Sequence, residues 1–131
     1  YHANNVHYAN GEAILIDMDT LATGNPVFEF SNIYLAYQGF GDLDKEAVSK
    51  FMNVPWETAC YIYEKTFEFY FEDKGKEYIE EAKHKAQVVG YTRILRRTIK
   101  RDPDNKEAIE HYKKRLLEEI DLVNDLVLEH A

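Results

Sequence analysis

An Asn-Gly pair near the start of the chain, Asn10-Gly11, constrains the fold more than any other feature of the sequence. Both residues tolerate the positive φ angles that a two-residue type I′ turn requires. The flanking segments, Val6–Tyr8 and Glu12–Ile16, are short and rich in apolar residues, as strands are. The sequence therefore predicts a β-hairpin at the N-terminus.

Pairing outward from this turn brings together residues that are distant in sequence. Val6 is expected opposite Leu15, and Asn4 opposite Asp17, with Asn5 beside them at the open end of the hairpin. Amide and carboxylate oxygens are ligands that Mg²⁺ accepts. The hairpin thus suggests a cation site built by Asn5 and Asp17, although Asn and Asp are also common as plain turn residues.

The rest of the chain has the three- and four-residue apolar spacing of helices. Five helices are predicted: Val27–Tyr37, a segment capped by Asp42 or Asp44 and ending at Met52, Pro55 to about Phe71, Lys76 to about Arg101, and a last helix with Asp102 as N-cap. The apolar stripe of the last helix is expected to run on to Val127. The predicted fold class is mainly α, with the hairpin packed on a single helical domain of residues 1–131.

The formal charge of −8 disfavours nucleic acid as a partner, because phosphate backbones are repelled by a negative field. It would suit a cationic substrate, although ordinary solubility explains it equally. The single cysteine, Cys60, allows no internal disulfide and favours an intracellular, cytoplasmic setting. No apolar run approaches the ~20 residues of a membrane span, so no membrane association is expected.

Three short motifs occur in order along the first 30 residues: His2-Ala3-Asn4-Asn5, then Ile16-Asp17-Met18-Asp19, then Gly24-Asn25-Pro26-Val27-Phe28-Glu29. Together they resemble the aminoglycoside phosphotransferase and choline kinase family, whose motifs run like H-G-D-x-H-x-x-N, I-D-x-D/E and G-D-P-x-x-D. This chain has Asn25 and Glu29 where the family usually has Asp. The resemblance implies a metal- and nucleotide-binding hairpin and loop in residues 1–30, followed by the helical C-terminal lobe of a kinase-like fold.

The resemblance also implies a role for each matching residue. Asn5 and Asp17 would be the ligands of Mg²⁺ and so hold ATP. His2 would shape the catalytic loop, Asp19 would lie beside the metal, and Glu29 would brace the loop. The implied activity is transfer of the γ-phosphoryl of ATP to a hydroxyl of a small substrate.

The catalytic Asp of such kinases precedes the Asn by five positions, which places it immediately before Tyr1. The phosphate-covering loop and the Lys of an N-terminal lobe are also absent from the sequence. We therefore expect this chain to be a fragment that is inactive alone, although the parent protein is a kinase. Apolar surface exposed where the missing lobe docks could be covered by a homodimer.

Two further groups of residues have a functional and a structural interpretation. The aromatic run from Tyr61 to Phe71 could form a cage for a quaternary ammonium, but such residues on one helix more often pack a core. The basic residues near Arg93 and Arg97 could bind an anion, but they also suit a helix C-terminus. Glu118 and Glu119 are expected on a solvated face.

The alternative to a kinase is a non-enzymatic helical interaction module, with the hairpin as a stapling element.

Overall fold

The computed structural model describes residues 2–19 and 22–130 of the chain. Helix, including short 3-10 turns, covers 65% of the described residues, and a two-stranded antiparallel sheet precedes the α-helices. The predictions of a mainly α class and of an N-terminal hairpin are confirmed. No helix in the described part of the chain combines the length and apolarity needed to cross a membrane.

The hairpin consists of β1 (Val6–Ala9) and β2 (Glu12–Leu15). Asn10 has a φ of 54° and Gly11 a φ of 85°, so both turn residues adopt the left-handed backbone that the sequence predicts. The strands pair in the register that counting from this turn gives. A two-residue turn fixes the register because it leaves no slack between the strands.

The hairpin meets the helices at its base rather than across its strands. The strand residues other than Val6, which is half-buried, are exposed, and Tyr8 is 77% accessible. A 3-10 turn, Ala3–Asn5, precedes the hairpin, and from it the Asn4 side-chain amide donates to the Phe51 carbonyl oxygen at 2.9 Å. The ring of His2 meets that of Phe51 edge-on, with centroids 5.2 Å apart. The predicted packing of the hairpin on the helices is therefore limited to this turn.

The helices are α1 (Val27–Tyr37), α2 (Lys45–Met52), α3 (Trp56–Tyr70), α4 (Lys76–Arg101) and α5 (Lys106–Ile120), with a 3-10 turn, Gly39–Asp42, between α1 and α2. Asp44 caps α2 by accepting from the Ala47 N–H at 3.0 Å, one of the two caps that the sequence allowed. The bounds of the first four helices agree with the predicted ones to within a residue or two.

The start of α5 differs from the prediction. Asn105, not Asp102, is the N-cap, because its Oδ1 accepts the Ala108 N–H at 3.1 Å. Asp102 instead ends α4 and accepts a hydrogen bond from the Asn105 side-chain amide at 3.1 Å. Asp102 and Asn105 are both residue types that cap helices, and the one that caps α5 is Asn105, which lies nearer the apolar stripe of that helix.

The end of α5 also differs from the prediction, since the helix stops at Ile120. The following residues, 122–130, run back over the domain without helix or strand, and we call them the C-terminal strap. Val127 is exposed, whereas Leu128 is 2% exposed and belongs to the core. The predicted apolar stripe is therefore wrong beyond Ile120.

Aromatic side chains fill the core, where α1 lies against α4 and α4 against α5. Phe30 and Phe67 pack with ring centroids 4.5 Å apart, and Tyr34 lies edge-on to Tyr91. A Cβ at Gly90 would lie 2.7 Å from the Tyr34 ring, so the glycine allows α1 and α4 to approach. This packed core is the support on which the first 30 residues are positioned.

Candidate functional site

A cavity of about 620 Å³ lies between the open end of the hairpin and the start of α1; we call it the hairpin cavity. Its lining includes Asn5, Asp17, the loop residues 22–26, Glu29 and Arg93. The volume is within the range of small-molecule sites. The structure therefore brings Asn5, Asp17 and Glu29, which are distant in sequence, to one cavity.

Asp17 enters the cavity through an unusual backbone conformation. Its φ is 59°, in the left-handed region that Asp tolerates better than most residues. The chain thus leaves the extended conformation of β2 two residues after Leu15. Such a conformation costs free energy, so its occurrence at a non-glycine residue that lines a cavity is a reason to suspect a functional role.

Asn5 is held by its backbone, which leaves its side chain free for another role. Its N–H donates to the His2 carbonyl oxygen and its carbonyl accepts the Ile16 N–H, both at 2.9 Å. Within residues 2–19 and 22–130, no hydrogen bond or ion pair engages the side chain of Asn5 or of Asp17. One amide oxygen and one carboxylate are therefore available at the cavity wall.

The other residues predicted for the site are distributed differently. Glu29 lies in the first turn of α1, is exposed and lines the hairpin cavity. Asp19 is exposed in the loop after β2 and does not belong to the described lining. His2 lines a second groove on the other side of the 3-10 turn. The structure thus gathers three of the five predicted site residues.

The donor set fits a magnesium ion that is held mainly by a nucleotide. Among the described residues there is no group of three or more His, Cys, Asp or Glu side chains that could hold a metal. A protein cage for Zn²⁺ or Ca²⁺ would require such a group. Mg²⁺ in nucleotide sites commonly takes one or two protein oxygens and fills its octahedron with phosphate and water. Asn5 and Asp17 match that smaller requirement.

Arg93 of α4 adds a positive charge to the hairpin cavity. Its Nη1 donates to the Asn32 side-chain oxygen at 2.5 Å, the Ser31 hydroxyl at 3.2 Å and the Phe28 carbonyl at 3.3 Å. All three hydrogen bonds are made by Nη1, and together they fix the orientation of the guanidinium group. A fixed guanidinium beside a cavity favours an anionic ligand such as phosphate.

Asn25 connects the cavity wall to the C-terminal strap. Its Oδ1 accepts the Leu128 N–H at 3.1 Å and its Nδ2 donates to the Leu128 carbonyl oxygen at 3.0 Å. Oδ1 also accepts the Val27 N–H at 3.1 Å at the start of α1. A carboxylate at this position would have no hydrogen to donate. The Asn25 amide can therefore pair with both backbone groups of Leu128, which an ionised carboxylate could not do.

Three contributors to the site were not predicted as such: Asn25, Asn32 and Arg93. Asn32 is three residues after Glu29 on α1, a spacing that places both on one helix face, so this signal was available. The strap contact of Asn25 spans 103 positions, and no local pattern reports it. Arg93 belongs to the predicted basic group, but the sequence does not show that this arginine, rather than another basic residue near it, would line the hairpin cavity.

The aromatic run of α3 packs the core and does not form a cage. Tyr63, Phe67 and Phe71 are buried, with Tyr63 and Phe67 edge-on at 5.0 Å. Tyr61 and Phe69 are exposed on other faces of the helix. The structural interpretation of this run is therefore the correct one.

No family model matches the sequence, and neither the curated proteins nor the solved structures contain a match. The functional assignment thus depends on the residues and geometry of the chain itself.

Proposed function

We propose that this chain is the helical lobe of an ATP-dependent phosphotransferase that transfers the γ-phosphoryl to a hydroxyl of a small acceptor. The observation that carries the proposal is that Asn5 and Asp17 line one cavity and that neither side chain has a hydrogen-bond or ion-pair partner among the residues that the structure describes. Their order in the sequence follows the motifs of the aminoglycoside phosphotransferase and choline kinase family.

In this proposal, the side chains of Asn5 and Asp17 hold Mg²⁺ together with ATP. When bound, Mg²⁺ would supply positive charge that offsets the charge of the phosphates. Arg93 would attract a phosphate oxygen, since its guanidinium is fixed at the same cavity. Glu29 would brace the loop, His2 would shape the catalytic loop, and Asp19 would lie beside the metal. Positioning and charge stabilisation of this kind supply most of the catalysis in phosphoryl transfer.

The remaining machinery is proposed to lie upstream in the parent protein. A carboxylate immediately before Tyr1 would accept the proton of the acceptor hydroxyl, and an N-terminal lobe would cover the phosphates. The exposed side chains of the hairpin, including Tyr8 and Ile14, support such a lobe or a second copy of the chain as the partner that covers them. The 131 residues alone are then inactive, and a cytoplasmic location would supply the ATP.

The same exposed hairpin favours one alternative, a non-enzymatic interaction module. Apolar side chains on an exposed two-stranded sheet are also a surface for another protein. Such a module requires neither an unengaged Asn5 nor an unengaged Asp17, so it leaves the composition of the hairpin cavity unexplained.

Turnover of Mg-ATP by the full-length gene product tests the proposal. Asp17→Asn keeps the size of the side chain but removes its charge, so we expect kcat to fall by about 10²-fold or more. Asp121→Asn, at an exposed carboxylate after α5, is the matched control and should leave kcat unchanged. Equal activity of the Asp17 variant and the wild type would remove Asp17 from the mechanism, and a module without ATP turnover would support the alternative.

A further inference from the structure

A second groove, of about 710 Å³, lies on the other side of the 3-10 turn Ala3–Asn5. Most of its lining is apolar: Leu35, Ala36, Phe40, Leu43, Val48 and Phe51. Asp44 and Arg97 are the charged residues among the described lining. We call it the apolar groove.

The apolar groove and the hairpin cavity are neighbours. Asn32 lines both of them, and the chain segment between them is a single turn, with His2 on the groove side and Asn5 on the cavity side. The Asn4 side chain fixes this turn to the Phe51 carbonyl, which belongs to a groove residue. Two ligands bound in these spaces would therefore lie closest to each other beside Asn32, the residue that both linings share.

Transfer of a phosphoryl group requires donor and acceptor to be held side by side with the reacting atoms aligned. We propose that the apolar groove binds the acceptor and that the acceptor is an uncharged alcohol with an apolar ring; this inference rests on the proposed kinase function. In the step, the acceptor hydroxyl oxygen forms a bond to the γ-phosphorus while the bond to the β–γ bridging oxygen breaks. The electron pair leaves with ADP, and the hydroxyl proton passes to the upstream carboxylate.

The lining distinguishes this acceptor from a polycation. The Asp44 carboxylate already caps α2 through its bond to the Ala47 N–H, and Arg97 lies over the Phe40 ring at 5.6 Å. One carboxylate and one guanidinium leave the groove without net charge, so several ammonium groups would lose water and gain no matching partners.

The lining also disfavours a sugar. Hydroxyl groups placed against Leu43, Val48 and Phe51 would lose their hydrogen bonds to water, and these three side chains have no polar atom to offer in return. An apolar ring would instead gain contact with Phe40 and Phe51, which are 36% and 54% exposed.

Titration of the ¹⁵N-labelled full-length protein with three probes tests the inference by NMR: 2-phenylethanol, the polycation neamine and glucose. We expect saturable shifts of backbone signals from α2 and the Gly39–Asp42 turn with 2-phenylethanol only. Saturable shifts of these signals with neamine or glucose, or shifts with 2-phenylethanol confined to other regions, would overturn the assignment.

Two tryptophan substitutions on α2 provide a matched pair. Ala47→Trp places an indole in the groove and should weaken 2-phenylethanol binding about tenfold or more, whereas Lys50→Trp, on an exposed position of the same helix, should leave it unchanged. Mg-ATP binding should survive both changes. If Ala47→Trp leaves 2-phenylethanol binding intact, the groove is not its site.

The inference and the proposed function can fail separately. If the wild-type protein does not bind Mg-ATP, the kinase function is rejected. The proposed acceptor role of the apolar groove is then rejected as well, whatever the groove binds. Phosphorylation of neamine or glucose, with a KM that Ala47→Trp does not change, would keep the kinase function and reject the apolar acceptor.

Discussion

Asp17 combines a costly backbone conformation with a side chain that has no partner in the described structure. A residue that served only to end β2 would be better replaced by glycine, which adopts positive φ without strain. Asp at this position places a carboxylate at the hairpin cavity at a cost in backbone free energy.

Asp17→Gly should therefore separate stability from activity. We expect the free energy of unfolding to stay the same or rise by up to about 1 kcal/mol, while Mg-ATP turnover is lost. Urea denaturation and an ADP-release assay on the same preparation measure the two quantities. A clear loss of stability would show that the carboxylate serves the fold.

Asn25→Asp tests the role of the amide at the other wall of the cavity. The change keeps the size of the side chain but replaces the Nδ2 donor with an oxygen that faces the Leu128 carbonyl. We expect a loss of about 1–3 kcal/mol in the free energy of unfolding at pH 7, measured in urea. The loss should shrink near pH 4, where a protonated carboxyl group can donate again; a loss independent of pH would argue against this contact.

At the scale of the elements, features that depend on contacts between neighbouring residues could be predicted from the sequence. Features that depend on contacts between residues far apart in the sequence could not. The hairpin register follows from Asn10-Gly11, and the α2 cap from Asp44, because each depends on residues within a few positions. The strap depends on Asn25 and on Lys85, whose ammonium contacts the Asp125 carboxylate at 2.8 Å and the Val127 carbonyl at 3.0 Å. No helical pattern in residues 121–130 indicates those partners.

Leu128→Ala should test whether the strap is part of the core. Because Leu128 is 2% exposed, we expect a loss of about 2–4 kcal/mol in the free energy of unfolding. Val127→Ala, at a side chain that is 63% exposed, is the control and should change stability by less than about 0.5 kcal/mol. Equal effects in urea denaturation would mean that the strap does not dock as described.

At the scale of the whole molecule, a buried polar network joins α1, α4, α5 and the Gly39–Asp42 turn. The Tyr34 hydroxyl donates to the Tyr91 hydroxyl, which donates to the Asp42 carboxylate, both at 2.6 Å. Arg115 donates its Nε–H to Tyr91 at 3.1 Å and an Nη2–H to Glu119 at 3.2 Å.

Glu119 is 3% exposed, so its predicted place on a solvated face is wrong. The sequence of α5 does not indicate that His84 of α4 would contact the Glu119 carboxylate.

The network makes stability depend on alkaline pH. Burial, together with the bond to Asp42, raises the pKa of Tyr91 to about 12, and burial with the neighbouring Tyr91 raises that of Tyr34 further. The unfolded chain loses these protons near pH 10, so the stabilisation is complete below pH 10 and is lost as the pH rises toward 12. Urea denaturation between pH 8 and 11.5 should show a steep fall that Tyr34→Phe makes shallower. An unchanged slope in that variant would exclude Tyr34 as a contributor.

The candidate site shows the same division between local and distant determinants. Asn5 and Asp17 could be placed together from the sequence because a two-residue turn leaves one register. The contacts of Arg93 with Asn32 and the neighbouring apolar groove depend on how α1 lies against α4, and that packing is set by the whole core. Local patterns therefore predicted that Asn5 and Asp17 lie near one another, but not which residues form the rest of the cavity wall.

If Asn5 and Asp17 hold the cation of a nucleotide, a paramagnetic ion should report it. We propose to add Mn²⁺ with a non-hydrolysable ATP analogue to the ¹⁵N-labelled full-length protein and to follow line broadening by NMR. The broadening should centre on Asn5 and Asp17, require the nucleotide and disappear in Asp17→Asn. Broadening centred on the exposed carboxylates of α5, or unchanged when the nucleotide is omitted, would contradict the proposed site.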